Sequence, residues 1–233
     1  MFTPRRRQRK TAKKIARSAA PARRARIREY SKAARRSLGR YGRENMFDAP
    51  ETYFEPTGRE NYEVIVNDPG SEFRHVVTPD QVKSCLDRLP KGFLNGLEVV
   101  QLSTMTRKKQ LLPCYGLQWG CAIYLYPFHE SLEEEFASPP PTQMVIETKM
   151  YGGRWVHPEP DVWKLIWTES TARDYHLNNI LIHELGHLVD TWNTNSPDQE
   201  RFAEWFAIEY GYRRTSVKTR GRRRKSRRRH HKS

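Results

Sequence analysis

The stretch Asn178-Asn179-Ile180-Leu181-Ile182-His183-Glu184-Leu185-Gly186-His187-Leu188-Val189-Asp190 constrains the fold more than any other part of the chain. Its apolar residues Ile180, Leu181, Ile182, Leu185, Leu188 and Val189 predict a buried helix. Inside that helix sits the pattern H-E-x-x-H. Residues four apart lie one turn apart on the same face, so His183 and His187 can address a single metal ion. Glu184 then projects beside the ion, placed to take a proton from a water bound there. The apolar setting argues against a surface helix that carries two His and a Glu by chance.

A catalytic zinc site takes three protein ligands and leaves the fourth position to water. No His lies between His187 and the tail pair His230-His231, and Asn193, at the spacing of a close third His, is a poor substitute. The next helical segment runs from Ser196 to Gly211. Ser196 is its predicted N-cap with Gln199 three residues on, Pro197 takes the first helical position, and Gly211 closes it. Glu200, Ala203, Glu204 and Ala207 share one face, where two alanines let the H-E-x-x-H helix approach while both carboxylates reach inward. Glu200 is assigned to the metal, and Glu204 to the outer nitrogen of a ligand imidazole. The reverse assignment stays open.

His183-Glu184-x-x-His187 followed by Glu200-x-x-x-Glu204 resembles the gluzincin arrangement of zinc metallopeptidases. The segment Glu200-Arg201-Phe202-Ala203-Glu204-Trp205-Phe206-Ala207 resembles a run in anthrax-lethal-factor-like zincins. It is also similar to a helix of the phage-regulator-cleaving peptidases. The resemblance covers about residues 177–211. It implies a zincin-like fold, Zn2+ as cofactor, Glu200 as third ligand and Glu204 as support for a ligand His. The short gap between His187 and Glu200 implies a compact version.

Charge divides the rest of the chain. Residues 1–43 carry a net +16, residues 213–233 a net +12, and residues 44–212 a net −13. An acidic globular domain over 44–212 is therefore expected between two basic arms, 1–43 and 213–233, each too poor in large apolar residues to build a core and expected to be disordered. Arg5, Arg6 and Arg7 in the first arm, and Arg222, Arg223, Arg224, Arg227, Arg228 and Arg229 in the second, are the candidate phosphate contacts of a nucleic-acid partner. A merely solubilising role for the arms is the plainer alternative, and no signature of base-specific recognition is visible. Cys85, Cys114 and Cys121 form no C-x-x-C pair, which fits a reducing compartment better than a disulfide scaffold. No apolar run approaches the roughly 18 residues that span a bilayer. The charged N-terminus has no apolar stretch behind it, unlike a secretory signal. A cytoplasmic or nucleic-acid-associated setting, a virion among them, is expected.

Tyr62–Val66, Leu97–Met105, Ala122–Tyr126, Met144–Thr148 and Val162–Trp167 read as strands. Thr78-Pro79-Asp80 opens a helix to about Leu89. Glu133-Glu134-Glu135 and Pro139-Pro140-Pro141 mark the segment between Tyr126 and Met144 as a loop. The expected fold class is α+β: a small, mainly antiparallel sheet packed on the H-E-x-x-H helix and a second ligand-bearing helix.

The expected chemistry is hydrolysis of a peptide or amide bond, with Glu184 as general base. A developing oxyanion needs a further donor, for which Tyr175, His176, Tyr210 and Tyr212 are candidates, with packing as an equal alternative for His176. By the same resemblance, a protein or peptide substrate pairs with an edge strand, either Met144–Thr148 or Ala122–Tyr126. The rival expectation is a nucleic-acid-binding structural or packaging protein whose zinc site only stabilises it.

Overall fold

The computed structural model describes residues 49–111 and 114–214. The N-terminal arm and residues 215–233, with all nine candidate arm arginines, lie outside the described residues. The elements in order are β1 (Glu63–Val66), β2 (Phe73–Arg74), α1 (Pro79–Leu86), β3 (Val99–Leu102), α2 (Arg107–Leu111), β4 (Gly116–Trp119), β5 (Ala122–Leu125), β6 (Phe128–His129) and β7 (Glu133–Phe136). There follow α3 (Thr142–Met150), β8 (Arg154–Glu159), β9 (Val162–Ile166), α4 (Glu169–Tyr175), α5 (Leu181–Val189) and α6 (Ser196–Phe206). A π turn over His176–Ile180 joins α4 to α5, and another over Ala207–Tyr212 extends α6. No helix among the described residues is long and apolar enough to cross a membrane.

The fold is mixed α+β with small sheets. The principal sheet has the order β1-β3-β5-β4. Its β1–β3 and β3–β5 pairs are parallel, and only β4 runs antiparallel, at the edge. The sheet under the H-E-x-x-H helix is thus largely parallel rather than antiparallel. Burial on both faces explains why β3 and β5 are continuously apolar or buried along their length. One face turns Val100, Leu102, Ile123 and Leu125 into the core shared with α1 and α5. The other turns Val99, Ala122, Tyr124 and Tyr126 toward Phe54.

The segment before β1 is tied down over that second face. Tyr124 Oη donates to Thr52 O at 2.7 Å, and the buried Glu98 carboxylate accepts from Thr57 N (2.9 Å), Thr57 Oγ1 (2.6 Å) and Gly58 N (2.7 Å). The Thr57 hydroxyl first, and then the backbone donors, hold the Glu98 carboxyl below its ordinary range.

The other two sheets are antiparallel, β7-β9-β8 and the short pair β2-β6. The acidic run Glu133-Glu134-Glu135 is therefore a strand and not a loop. Its charge is tolerated because Lys164 on β9 reaches both Glu133 (3.3 Å) and Glu135 (3.0 Å). Met144–Thr148, expected as a strand, lies inside helix α3. Thr148 Oγ1 turns back to donate to Met144 O at 2.7 Å and accepts from Trp155 Nε1 at 2.8 Å, so its β-branched side chain is used within the helix.

Helix ends follow local chemistry. Thr78 caps α1 through a full capping box with Gln81, and the helix stops at Leu86 rather than Leu89. The cap of α6 is Asn195, whose side chain accepts from Asp198 N at 3.0 Å, one residue before the expected Ser196. Gly211 does not end the second helix. It lies within the π turn, and Arg213 and Arg214, counted with the C-terminal arm, continue the helix. Glycine is required there for space: a Cβ on Gly211 would stand 1.8 Å from Asn178 O, in the other π turn.

Candidate metal centre

Helix α5 buries Leu181, Ile182 and Leu185 against the principal sheet, which leaves His183 and His187 on its open flank. Helix α6 approaches that flank closely. A Cβ on Gly186 would come within 2.9 Å of Ala203 Cα, so Gly186 and Ala203 set the separation at which a carboxylate on α6 can reach the imidazoles. Ala203 and Ala207 are buried at 0% and 1% exposure, which keeps this side of α6 low enough for the approach.

The donors converge. His183 Nε2 and His187 Nε2 are 3.1 Å apart, and Glu200 places Oε2 3.4 Å from the first and Oε1 3.6 Å from the second. A tetrahedral zinc with donors at about 2.0–2.1 Å sets neighbouring donors about 3.3 Å apart, so the three spacings bracket the required edge. Among the described residues, His183, His187 and Glu200 are the group able to hold a metal ion. The side chains retain 22%, 19% and 38% of their surface, so the donors meet at an open face rather than in a sealed core. That openness suits a site with a position left for water.

The three donors shift one another's titration. Burial pushes the Glu200 carboxyl up, but the hydrogen bond from His183 and the charges of both imidazoles hold it below the ordinary range. For His183 burial works downward, and Glu200 with the neighbouring carboxylates outweighs it, raising the imidazole. His187 is lowered by burial and by the charge of His183.

Glu184 reaches the edge of the principal sheet at Gly116 while its charge still acts on His183. Tyr126 N donates to Tyr115 O at 2.9 Å, so alternation along β4 turns the backbone groups of Gly116 and Gln118 away from β5. The Gln118 N–H bonds the Glu184 carboxylate, whose pKa burial pushes up to about 7. Gly116 makes room: a Cβ there would meet Ile180 Cγ2 at 2.5 Å and Glu184 Cγ at 2.9 Å. Sequence reasoning missed both β4 residues. β4 is the edge strand at this helix, whereas Ala122–Leu125 is central between β3 and β4 and Met144–Thr148 is helical. Both expected edge strands are thereby overturned.

The remaining candidates separate. Glu204 does not reach an imidazole; its hydrogen bond goes to Gln143 Nε2 on α3, which also donates to Glu147 Oε1 at 3.0 Å. Asn193 is engaged with Asp190, its Nδ2 donating to Oδ2 at 2.9 Å. Tyr175 is buried and stacked on Trp167 with centroids 4.8 Å apart. Tyr210 packs on Phe93 and Phe206 at 4.9 and 4.6 Å. Tyr212 meets Tyr151 at 5.5 Å. His176 is at 0% exposure, with Nε2 donating to Tyr115 O at 3.2 Å and Phe128 at 5.2 Å. None of these four lines the cleft beside His183, a cavity of about 400 Å3 between α3, α5 and the end of α6. Their expected role as oxyanion donors gives way to core packing. Gln143 and Glu147, which do line it, were missed, the first in the supposed loop before Met144 and the second inside the supposed strand. Their i, i+4 spacing after Pro139-Pro140-Pro141 was the available helix signal.

Burial of His176 makes stability depend on pH. Burial lowers its pKa to about 4, helped by the charge of His75 and opposed by the Tyr115 carbonyl. The unfolded imidazole titrates near 6.5. Between these values the unfolded chain holds the extra proton, so stability falls as pH drops from about 6.5 to 4, by about 3 kcal/mol in all. Urea midpoints taken from pH 7 to pH 4.5 should fall less steeply in His176→Gln, whose amide can still donate to Tyr115. Equal slopes would contradict the assignment.

No family model matches this chain, and neither does any curated protein or solved structure.

Proposed function

We propose that the chain is a zinc-dependent peptidase in which His183, His187 and Glu200 hold the metal and Glu184 is the general base. The observation that carries this reading is the convergence of the three donors at 3.1, 3.4 and 3.6 Å, with Glu184 on the same turn. Zinc held there supplies a water of lowered pKa, toward about 7, and a Lewis acid for the scissile carbonyl.

The residues of the chain do the rest. The Gln118 N–H and the space left by Gly116 orient the Glu184 carboxylate. That carboxylate accepts a proton from water and returns it to the leaving amine. At the half-buried edge of β4 the Gln118 N–H is held by Glu184 and the Gly116 carbonyl by Cys114, so an extended peptide pairs there through the outward Gln118 carbonyl, a mode the likeness to zincins favours. The two arms, at net +16 and +12, would hold the enzyme on nucleic acid and bring bound proteins to the site. Their charge is also what favours the second reading, a nucleic-acid-binding protein with a structural metal. An open three-donor site beside a carboxylate weighs against it, because structural zinc is usually closed by four protein ligands.

Metal analysis tests the root of the proposal. Purified protein should carry about one zinc per chain, and His183→Ala should carry less than a tenth of that. A chelator should abolish cleavage of a peptide library, and added zinc should restore it. Protein that binds no zinc at micromolar concentrations would sink the proposal. Tight zinc with no hydrolysis, with or without DNA, would favour the structural reading.

A further inference from the structure

The cleft beside His183 has a chemistry of its own. Its apolar lining comes from Ile146, Met150 and Ile208, and its acidic end from Glu147 on α3 and Glu204 on α6. Ile146 and Ile208 are exposed at 56% and 39%, unusual for large aliphatic side chains beside a cavity of about 400 Å3. Gln143 Nε2 donates to Oε1 of both carboxylates and so fixes them at one end of the cleft. Among the described residues, the hydrogen bonds of Glu147 and Glu204 go to Gln143 through Oε1, and no Lys or Arg pairs with either carboxylate. Nor do they belong to the donor group that can hold a metal. An aliphatic wall ending in two carboxylates with no Lys or Arg partner matches a flexible methylene stem with a cationic head. Burial pushes the Glu147 carboxyl up, against the Gln143 hydrogen bond and the charge of His183, so a cation seated there would relieve its burial.

We propose that this cleft receives the side chain of a Lys or Arg next to the scissile bond, so that the substrates are basic peptides. The assignment rests on the peptidase reading of the adjacent His183 group and adds its specificity. His183 lines both the cleft and the donor group, so a side chain seated in the cleft brings its own backbone to the metal position. An acidic peptide meets two like charges in the same place.

Binding and hydrolysis are measured separately. Fluorescent peptides identical but for one residue (Lys, Arg, Leu or Glu) are titrated into zinc-loaded Glu184→Gln. The basic peptides should bind about tenfold more tightly than the Leu peptide, and added salt should erode the difference. Adding Glu147→Gln and Glu204→Gln, which keep shape and remove charge, should bring the ratio to about one. A ratio near one before neutralisation, or one that survives it, overturns the assignment. If binding discriminates but the wild-type chain hydrolyses none of the peptides, the peptidase reading fails, and with it the link to a scissile bond; only the recognition of a basic side chain by the cleft stands. If all are hydrolysed with equal kcat/KM, the cleft assignment fails and the peptidase reading stands.

Discussion

Glu184→Gln is expected to slow peptide hydrolysis by about 10²–10⁴-fold with no change in zinc content. The two side chains have the same shape, so the contact with Gly116 is kept, and the amide oxygen can still accept from the Gln118 N–H. What is lost is the ability to take up a proton. Because Glu184 lies outside the His183, His187 and Glu200 donor group, metal affinity should hold while kcat falls, with KM little changed. This separates Glu184 from His183, whose removal takes the metal with it. A Gln variant retaining more than a tenth of wild-type kcat would remove Glu184 from the mechanism.

The largest effect on stability is expected far from the donors. Gly211→Ala should cost about 3 kcal/mol, the upper end of the usual overpacking range, since the new methyl would have to displace backbone rather than a flexible side chain. The clash is with Asn178 O at 1.8 Å, with Asn178 C at 2.9 Å behind it, and Tyr151 Oη already donates to that same carbonyl at 2.9 Å. Gly92→Ala is the control: nothing lies within 4 Å of its Cβ, and the change should stay within about 0.5 kcal/mol. Urea unfolding with unchanged m-values would show both as stability changes of one folded state. Should Gly211→Ala fail to fold while Gly92→Ala folds normally, the conclusion is the same; equal midpoints would refute it. Zinc affinity should also fall in the Gly211 variant, because Asn178 belongs to the turn that leads into α5.

Much of the candidate centre was legible in the sequence because its logic is local. The four-residue spacing of His183 and His187 fixes their common face, and small residues at Ala203 and Ala207 mark the side of α6 that carries Glu200. Glu204 was harder, since both carboxylates share that side and only the position of α3 decides that one of them meets Gln143. Helix α3 itself was hidden by Val145 and Ile146, whose branched side chains favour strands until packing overrides them. Strand positions were readable from apolar runs, but their partners were not. β1, β3 and β5 pair in parallel across intervening segments, and nothing in a short apolar run specifies a distant neighbour. The edge strand β4 escaped for a related reason: Gly116 and Gln118 serve the Glu184 side chain and leave no alternating apolar pattern.

The π turn over His176–Ile180 makes the centre sensitive to a count of residues as well as to their identity. Each residue added to a helix rotates every later position by about 100°, and a π turn holds one more than the α turn it replaces. Upstream, Ala172 and Tyr175 lock the rod in the core; downstream, the same rod aims His183 and His187 at Glu200. A one-residue deletion inside the turn would leave every donor in the chain and a better-formed helix. It would also swing both imidazoles about a quarter-turn away from Glu200. The extra residue works as a phase setting, so length changes between Tyr175 and Leu181 should be tolerated far less than substitutions there.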